Sequence, residues 1–480
     1  MAHVPLAGGG PSPLAVFDRF RSKALAKVQE PELKRYAVML LAFGAGLLPL
    51  MAGTAKAALT KMPTDGADTL LMLMGSALVL LMTPGLAFFY GGFTRAKNVL
   101  NTMMMSFFLM GLIGVLWVVV GYSLAFDGGT PFIGTEFKNI FLKGIGSPVQ
   151  PWADGQSISL SSFALFQGMF AIITPALISG ALVERINFKA WFWFSLLWSL
   201  FIYCPMAKMV WGGGYLGPFG EIGAIDFAGG TVVHIAAGVG ALVSTAIVGP
   251  RNNFPANKRP PHNVPFILLG AGLLWFGWFG FNGASYFVAK GAGFSFLTTT
   301  LSASTALLTW CLIEWFRDGK PTAVGAATGA VAGLVGITPA AGFVYMPQAL
   351  IIGAATAVAC YIAVQIKSAI QFDDALDAYA VHGVGGTVGA LLTGLLAAPA
   401  LVPADYFPKS AAILASGGNG ALFVAHIKAV LISYGFVGIG TTIILWIVGA
   451  AVGLRVTPEE EERGLDFVAH GEEAYDPMTY

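Results

Sequence analysis

Charge is what this chain has least of. Asp, Glu, Lys and Arg together make up 11% of its 480 residues, against 56% for the hydrophobic types. A domain of that size in water needs a charged surface, so a water-soluble class is excluded and lipid is the solvent for most of the chain. The mean hydropathy of +0.74 points the same way. The few charges are also balanced, with a net of +1 and no face or tail concentrating Lys and Arg, which excludes nucleic acid as a partner. Only three cysteines occur, Cys204, Cys311 and Cys360, all inside apolar runs. A thiol there acts as a small hydrophobe, so neither a disulfide framework nor a cysteine metal site is expected. What abounds is glycine, 62 residues scattered through apolar segments rather than gathered in loops. That suits helices packing closely in a membrane.

The organisation follows from the apolar runs. Arg19, Arg21, Lys23, Lys27, Lys34 and Arg35 precede an apolar stretch from Tyr36 to about Met51, followed by Ala52-Gly-Thr-Ala-Lys-Ala57. Residues 1–57 therefore read as a basic leader and cleaved signal peptide, the leader's unusual length pointing to a start codon downstream of Met1, with an uncleaved extra helix as the competing reading. Beyond it, about eleven runs reach the length of about twenty residues that spanning requires. Their limits lie near 67–91, 99–126, 159–183, 190–211, 226–249, 264–288, 292–316, 322–343, 346–367, 378–401 and 424–452. Arg95, Lys97, Arg185, Lys189, Arg251, Lys258, Arg259, Arg317, Lys320 and Lys367 fall in alternate loops, and Arg455 and Arg463 follow the last span. By the positive-inside rule those loops are cytoplasmic, which leaves the mature N-terminus outside and the C-terminus inside. Lys138, Lys143, Lys290 and Lys409 are the main exceptions. The expected fold is an all-α polytopic membrane protein of eleven transmembrane helices. Residues 58–453 form the transmembrane domain and 454–480 a soluble tail, too short for a domain, that carries Glu459 to Glu462.

A short internal echo joins Gly229-Gly-Thr-Val-Val-His234 in the fifth run to His382-Gly-Val-Gly-Gly-Thr-Val388 in the tenth. Repeats offset by five spans run in opposite directions, so two inverted five-helix repeats, about 67–249 and 264–401, are expected, with a site at the midplane between them. Ionisable groups inside the bilayer usually mark a pathway, and His234 and His382 are the ones in matched positions. A buried histidine bonded to a carbonyl is the plainer reading of each. Two imidazoles without a third ligand make a poor metal site, so no metal or cofactor is expected. His426, in the eleventh run, is expected at the interface.

Asp226 precedes His234 and Asp377 precedes His382. A carboxylate at Asp226 can cap the helix that follows or place negative potential beneath an entrance for cations, and both readings stay open. For Asp373, Asp374 and Asp377 capping is the stronger reading. Aromatics cluster at span ends: Phe166 and Phe170 in one string, Trp211 in another, Trp278 and Phe281 in a third. They are either belt residues facing headgroups or an inward cluster whose π-faces attract a small cation. Ser285, one turn past Phe281, can add a hydroxyl acceptor.

At these motifs the chain resembles the ammonium transporter, methylammonium permease and Rhesus family, and within it the bacterial-type ammonium branch. The strings that carry the resemblance are Pro84-Gly-Leu-Ala-Phe-Phe-Tyr-Gly-Gly92, Phe166-Gln-Gly-Met-Phe170, Met209-Val-Trp-Gly-Gly-Gly214, Asp226-Phe-Ala-Gly-Gly-Thr-Val-Val-His234, Gly277-Trp-Phe-Gly-Phe-Asn282, Val381-His-Gly-Val-Gly-Gly386 and Gly453-Leu-Arg-Val456. They run from the first span to the tail, and the basic leader is the main departure. The resemblance implies a homotrimer in the cytoplasmic membrane with one narrow pore per subunit. It implies an ammonium recruitment site at Phe170, Trp211 and Ser285, supported from behind by Asp226. It places a gate at Phe170 and Phe281, a lumen lined by His234 and His382, and Tyr90, Phe166, Trp278 and Asn282 near the pore.

The expected activity is uptake of ammonium by recruitment, deprotonation and passage of ammonia, with a separate proton relay through the histidines. Alternatives are an electroneutral ammonia or carbon dioxide channel, or an ammonium sensor. A membrane enzyme is disfavoured, since no nucleophile, metal set or cofactor motif accompanies the histidines. The resemblance also suggests a PII-type signal protein as a partner at the cytoplasmic face and a tail that couples subunits.

Overall fold

The computed structural model describes residues 64–145, 150, 156–256 and 260–475. The leader and signal site expected at 1–57 lie outside the described residues. Among those residues the chain is all helix with no strand, and ten helices are long and apolar enough to cross a membrane. They are α1 (Gly66–Phe93), α2 (Ala96–Phe126), α3 (Leu160–Leu182), α4 (Phe188–Val210), α5 (Gly230–Val248), α6 (Val264–Tyr286) and α7 (Ala289–Asp318), then α9 (Met346–Ala369), α10 (Tyr379–Leu396) and α11 (Pro408–Val452). Two elements depart from the expected limits. α8 (Ala323–Ile337) is a helix of only 15 residues, or about 22 Å at 1.5 Å per residue, short of a bilayer core. The segment 338–344 continues it as buried turns. Neighbouring elements satisfy carbonyls of these turns, Pro339 accepting from the Phe227 N–H, Ala341 from the Thr298 hydroxyl and Phe343 from the Ala398 N–H. Non-helical backbone at such depth is tolerated because protein, not lipid, surrounds it. α11 starts well before the run that signals it and breaks at Gly418, whose φ of 63° and ψ of −164° fall outside the helical region.

Small residues set the packing. Gly75 on α1 faces Gly280 and Ala284 on α6, Gly85 faces Leu273, and Gly92 faces Asn263 and Ile267, so α1 and α6 lie antiparallel in close contact. α5 and α10 do the same, with Gly238 against Gly383 and Gly386 against His234 and Gly230. α1, α2 and α3 pack on one another, as do α6, α7 and α8; α3 packs on α5 as α8 does on α10.

The tail folds back on the chain. Thr457 and Glu460 form a capping box for α12 (Pro458–Arg463). Of its four glutamates it buries Glu461, which accepts from Arg455 at 3.0 Å and from the Asn252 N–H. Asp466 accepts from the Asn101 N–H at 2.8 Å. Beside it, Arg251 grips Asp373 through two nitrogens at 2.7 and 3.0 Å and reaches Glu184 at 3.1 Å. Burial pushes the Glu184 carboxyl up, but Arg251 and Arg95 outweigh it and hold it below the usual carboxylate range. Asp373 is likewise pushed up by burial and pulled below that range by Arg251.

A methyl group added at Gly270 would lie 2.2 Å from the Phe89 backbone nitrogen, whereas one at Gly272 meets nothing within 4 Å. Gly270→Ala is expected to cost about 1–3 kcal/mol or more by overpacking the α1–α6 contact, and Gly272→Ala to be neutral. Thermal melting of the detergent-solubilised variants checks this.

Candidate functional site

Three helices change their winding where the site forms. Gly230–Ile235, Phe279–Gly283 and Tyr379–Gly383 are π-helical turns within α5, α6 and α10, carrying His234, Phe281 and His382. Such bulges widen the helix by a residue and turn a side chain inward, which is why they gather at functional sites. The first is set up by Gly229, whose φ of 117° suits glycine alone and whose added Cβ would strike Val233.

Asp226 fills the cap below that turn. Its Oδ1 accepts from the Gly229 and Gly230 N–H groups at 2.8 and 2.7 Å, and its Oδ2 from Thr231 and Val232 at 2.7 and 3.2 Å. All its hydrogen bonds of this kind go to orphan donors of the helix start, so capping is what its geometry performs. In the other half the equivalent residue is Asp374 rather than Asp377. Asp374 lies eight residues before His382, as Asp226 does before His234, and accepts from the Ala378 and Tyr379 N–H groups at 3.0 and 2.8 Å. Asp377 instead takes a φ of 60° and pairs with Lys367.

The aromatic rings point inward, which decides against a headgroup belt. Phe170 and Phe281 touch at 4.4 Å between centroids, tilted 45°, both almost fully buried. The edge of Trp211 meets Phe170 at 5.8 Å and Phe166 backs it at 4.9 Å. Behind Phe281 stand Trp278 at 5.3 Å and His234, stacked at 5.9 Å. His234 stacks on Trp278 at 5.5 Å and on His382 at 5.3 Å. The two imidazoles are joined Nδ1 to Nδ1 at 3.2 Å, and the Nε2 of His234 is buried with no hydrogen-bond partner. That bond needs one Nδ1 protonated and the other bare.

A slot of about 10 Å³ runs along this row, space for roughly one water-sized molecule. Apart from the histidines and Trp278 its walls are apolar, including Leu86, Ile173, Leu177 and Val331. A second cavity towards the tail shares Phe89, Val331 and His382 with it and adds Tyr90, Phe93 and Asp377.

The remaining predicted residues are supports or neighbours of the row. The Trp211 indole donates to the Asp226 carbonyl at 3.0 Å, and Trp278 donates to the Thr338 hydroxyl at 2.9 Å. Ser285 donates to the Phe281 carbonyl at 2.7 Å, which spends its proton and leaves lone pairs to accept. The Tyr90 hydroxyl donates to the Leu177 carbonyl at 3.0 Å. Asn282 turns to Thr299 on α7 at 2.9 Å and lines neither cavity.

Two supports were not among the expected site residues. Lys208 is buried and donates at 2.8 Å to the carbonyls of Asp127 and Gly212, holding the turn after Trp211; a lysine within an apolar run is itself a signal. His426 is not interfacial but buried, its Nε2 accepting from the Ile225 N–H at 3.3 Å and steadying the approach to Asp226. Among the described residues no group of three or more His, Cys, Asp or Glu is placed to hold a metal ion.

The fold and the slot together define a polytopic membrane protein with a small, mostly apolar cavity among its helices. The chain belongs to the Ammonium Transporter Family, whose profile matches residues 70–475. It is 44% identical over 414 residues to the ammonium transporter of Bacillus subtilis, covering 85% of this chain and 98% of that relative. The crystal structure of Saccharomyces cerevisiae Mep2 superposes with a TM-score of 0.75 at 36% identity, covering 87% of this chain and 93% of that one. A structure described as a sensor Amt protein matches with a TM-score of 0.75 at 28% identity, covering 84% and 98%.

Asp226→Ala leaves four buried N–H groups without an acceptor, at about 1–3 kcal/mol for each. Its melting temperature is expected to fall well below that of Asp226→Asn, which keeps one acceptor oxygen.

Proposed function

We propose that the protein takes up ammonium across the cytoplasmic membrane by binding the ion at the outer aromatic vestibule, removing its proton and passing ammonia along the histidine row. The observation that carries this is the slot of about 10 Å³ beside His234 and His382. It fits a molecule the size of water or ammonia, while its apolar walls oppose a bare cation by several kcal/mol. Phe170, Trp211 and Ser285 form the recruitment site: two π-faces and a hydroxyl oxygen suit a small N–H cation. Asp226 serves it from behind through the Trp211 indole. Phe170 and Phe281, in contact, act as the gate. Below it, His234 and His382 offer one donor and one acceptor to a passing ammonia, and their shared proton can relay charge separately.

In this reading α8 and the turns after it make the eleventh crossing, and the two antiparallel sets α1–α5 and α6–α10 are inverted repeats. The tail side is the cytoplasm, with the mature N-terminus outside, and the chain works as a homotrimer. The same face is where a PII-type signal protein would dock. A sensing role is the second reading, favoured by the likeness to the sensor Amt structure and by a tail held on the loops that end α3 and α5.

Two measurements in liposomes test the proposal. Trp211→Leu is expected to lose several-fold of its preference for ammonium over larger amines; unchanged selectivity argues against the vestibule. His234→Ala, solubilised as an intact oligomer, is expected to abolish or alter conduction, and an ammonium-evoked current in the wild type that disappears in this variant supports the relay. Uptake without any current sinks the relay and leaves an electroneutral channel.

A further inference from the structure

At the tail-side mouth the passage meets a charged group for the first time. The second cavity, which shares Phe89, Val331 and His382 with the histidine slot as common walls, is also walled by Tyr90 and Phe93 and carries the Asp377 carboxylate. Aromatic faces beside a carboxylate form a better site for a small ammonium than the outer vestibule, which offers no free carboxylate. The carboxylate of that cavity already carries an ammonium partner from the chain itself. Lys367, in the last turn of α9, lays its Nζ on the Asp377 carboxylate and donates to the Asp374 carbonyl at 2.8 Å. Both side chains are mostly shielded, 16% and 24% exposed for Lys367 and Asp377. Asp377 is presented from a left-handed backbone at φ 60°, just before the turn that carries His382.

We propose that the inner mouth is a second small-cation site in which Asp377 is the anion and Lys367 a tethered ammonium that competes with the free ion. The inference rests on ammonium transport as read above. Ammonia leaving past His382 is not hindered by this pair, since a neutral molecule does not compete for the carboxylate. Ammonium approaching from inside must displace Lys367 to bind, so the lysine weakens binding from the product side and disfavours return. No covalent step is involved, and the proton that ammonia regains inside comes from water.

The test is inhibition from the inside. Right-side-out vesicles loaded with graded ammonium chloride take up labelled methylammonium, and each variant is normalised to its own uptake with nothing inside. Lys367→Met is expected to lower the half-inhibiting internal ammonium concentration about three- to tenfold, as loss of one competing charge implies. Lys367→Arg, which keeps the charge, should stay near wild type. Asp377→Asn should raise that concentration by a similar factor, and the double variant should match Asp377→Asn, because the lysine acts only through the carboxylate. An unchanged or raised value in Lys367→Met overturns the proposal. Should that variant not reach the membrane, an unchanged value in Asp377→Asn overturns it equally. A wild type that takes up no methylammonium overturns the transport reading itself, and this inference with it.

Discussion

The hydrogen bond between the Nδ1 atoms of His234 and His382 is the contact on which the rest of the site depends. Imidazoles in an apolar wall are costly unless their nitrogens find partners, and here the two Nδ1 atoms satisfy each other, while the buried Nε2 of His234 has none. The bond forms only if the α5 and α10 backbones approach closely. Gly238 against Gly383 and Gly386 against His234 permit that approach, since a side chain at any of them would collide. The π-helical turns then aim the two rings at each other, and the carboxylates of Asp226 and Asp374 hold the starts of those turns. Remove the close approach and the rings separate, each left with a buried nitrogen lacking a partner.

The two ends of the row treat charge differently. At the Trp211 end Asp226 spends its oxygens on four backbone donors, so its carboxylate is fully engaged by the helix start. On the tail side Asp377 does present a carboxylate, and the chain covers it with its own lysine. At both ends, then, the nearby carboxylate is compensated by the chain's own donors.

Behind the inner mouth, Arg251 joins Glu184 and Asp373, while Arg455 and Glu461 tie the tail to the same loops. These loops end α3 and α5 and precede α10, the helices that carry Phe170, His234 and His382. Paired charges this well buried are costly to separate once formed, since breaking one leaves the other stranded. The tail-side ends of α3, α5 and α10 are thus tied to one another.

The sequence by itself determined the solvent, the number and order of apolar runs, and the pairing of two histidines with glycine-rich strings. Those follow from composition and spacing, which burial in lipid constrains directly. The eight-residue step from Asp226 to His234 and from Asp374 to His382 was also there to be read, yet Asp377 lies nearer to His382 and obscured it. Only the tertiary structure decided which way the rings face, because a belt and an inward cluster share the same residues at the same span ends. It alone decided that α8 stops short and the turns after it are sheltered by neighbours, and that His426 and Lys208 are buried supports. A one-dimensional pattern reports how apolar a segment is, but not what lies against it; the partners of a buried polar atom come from helices far away in the chain.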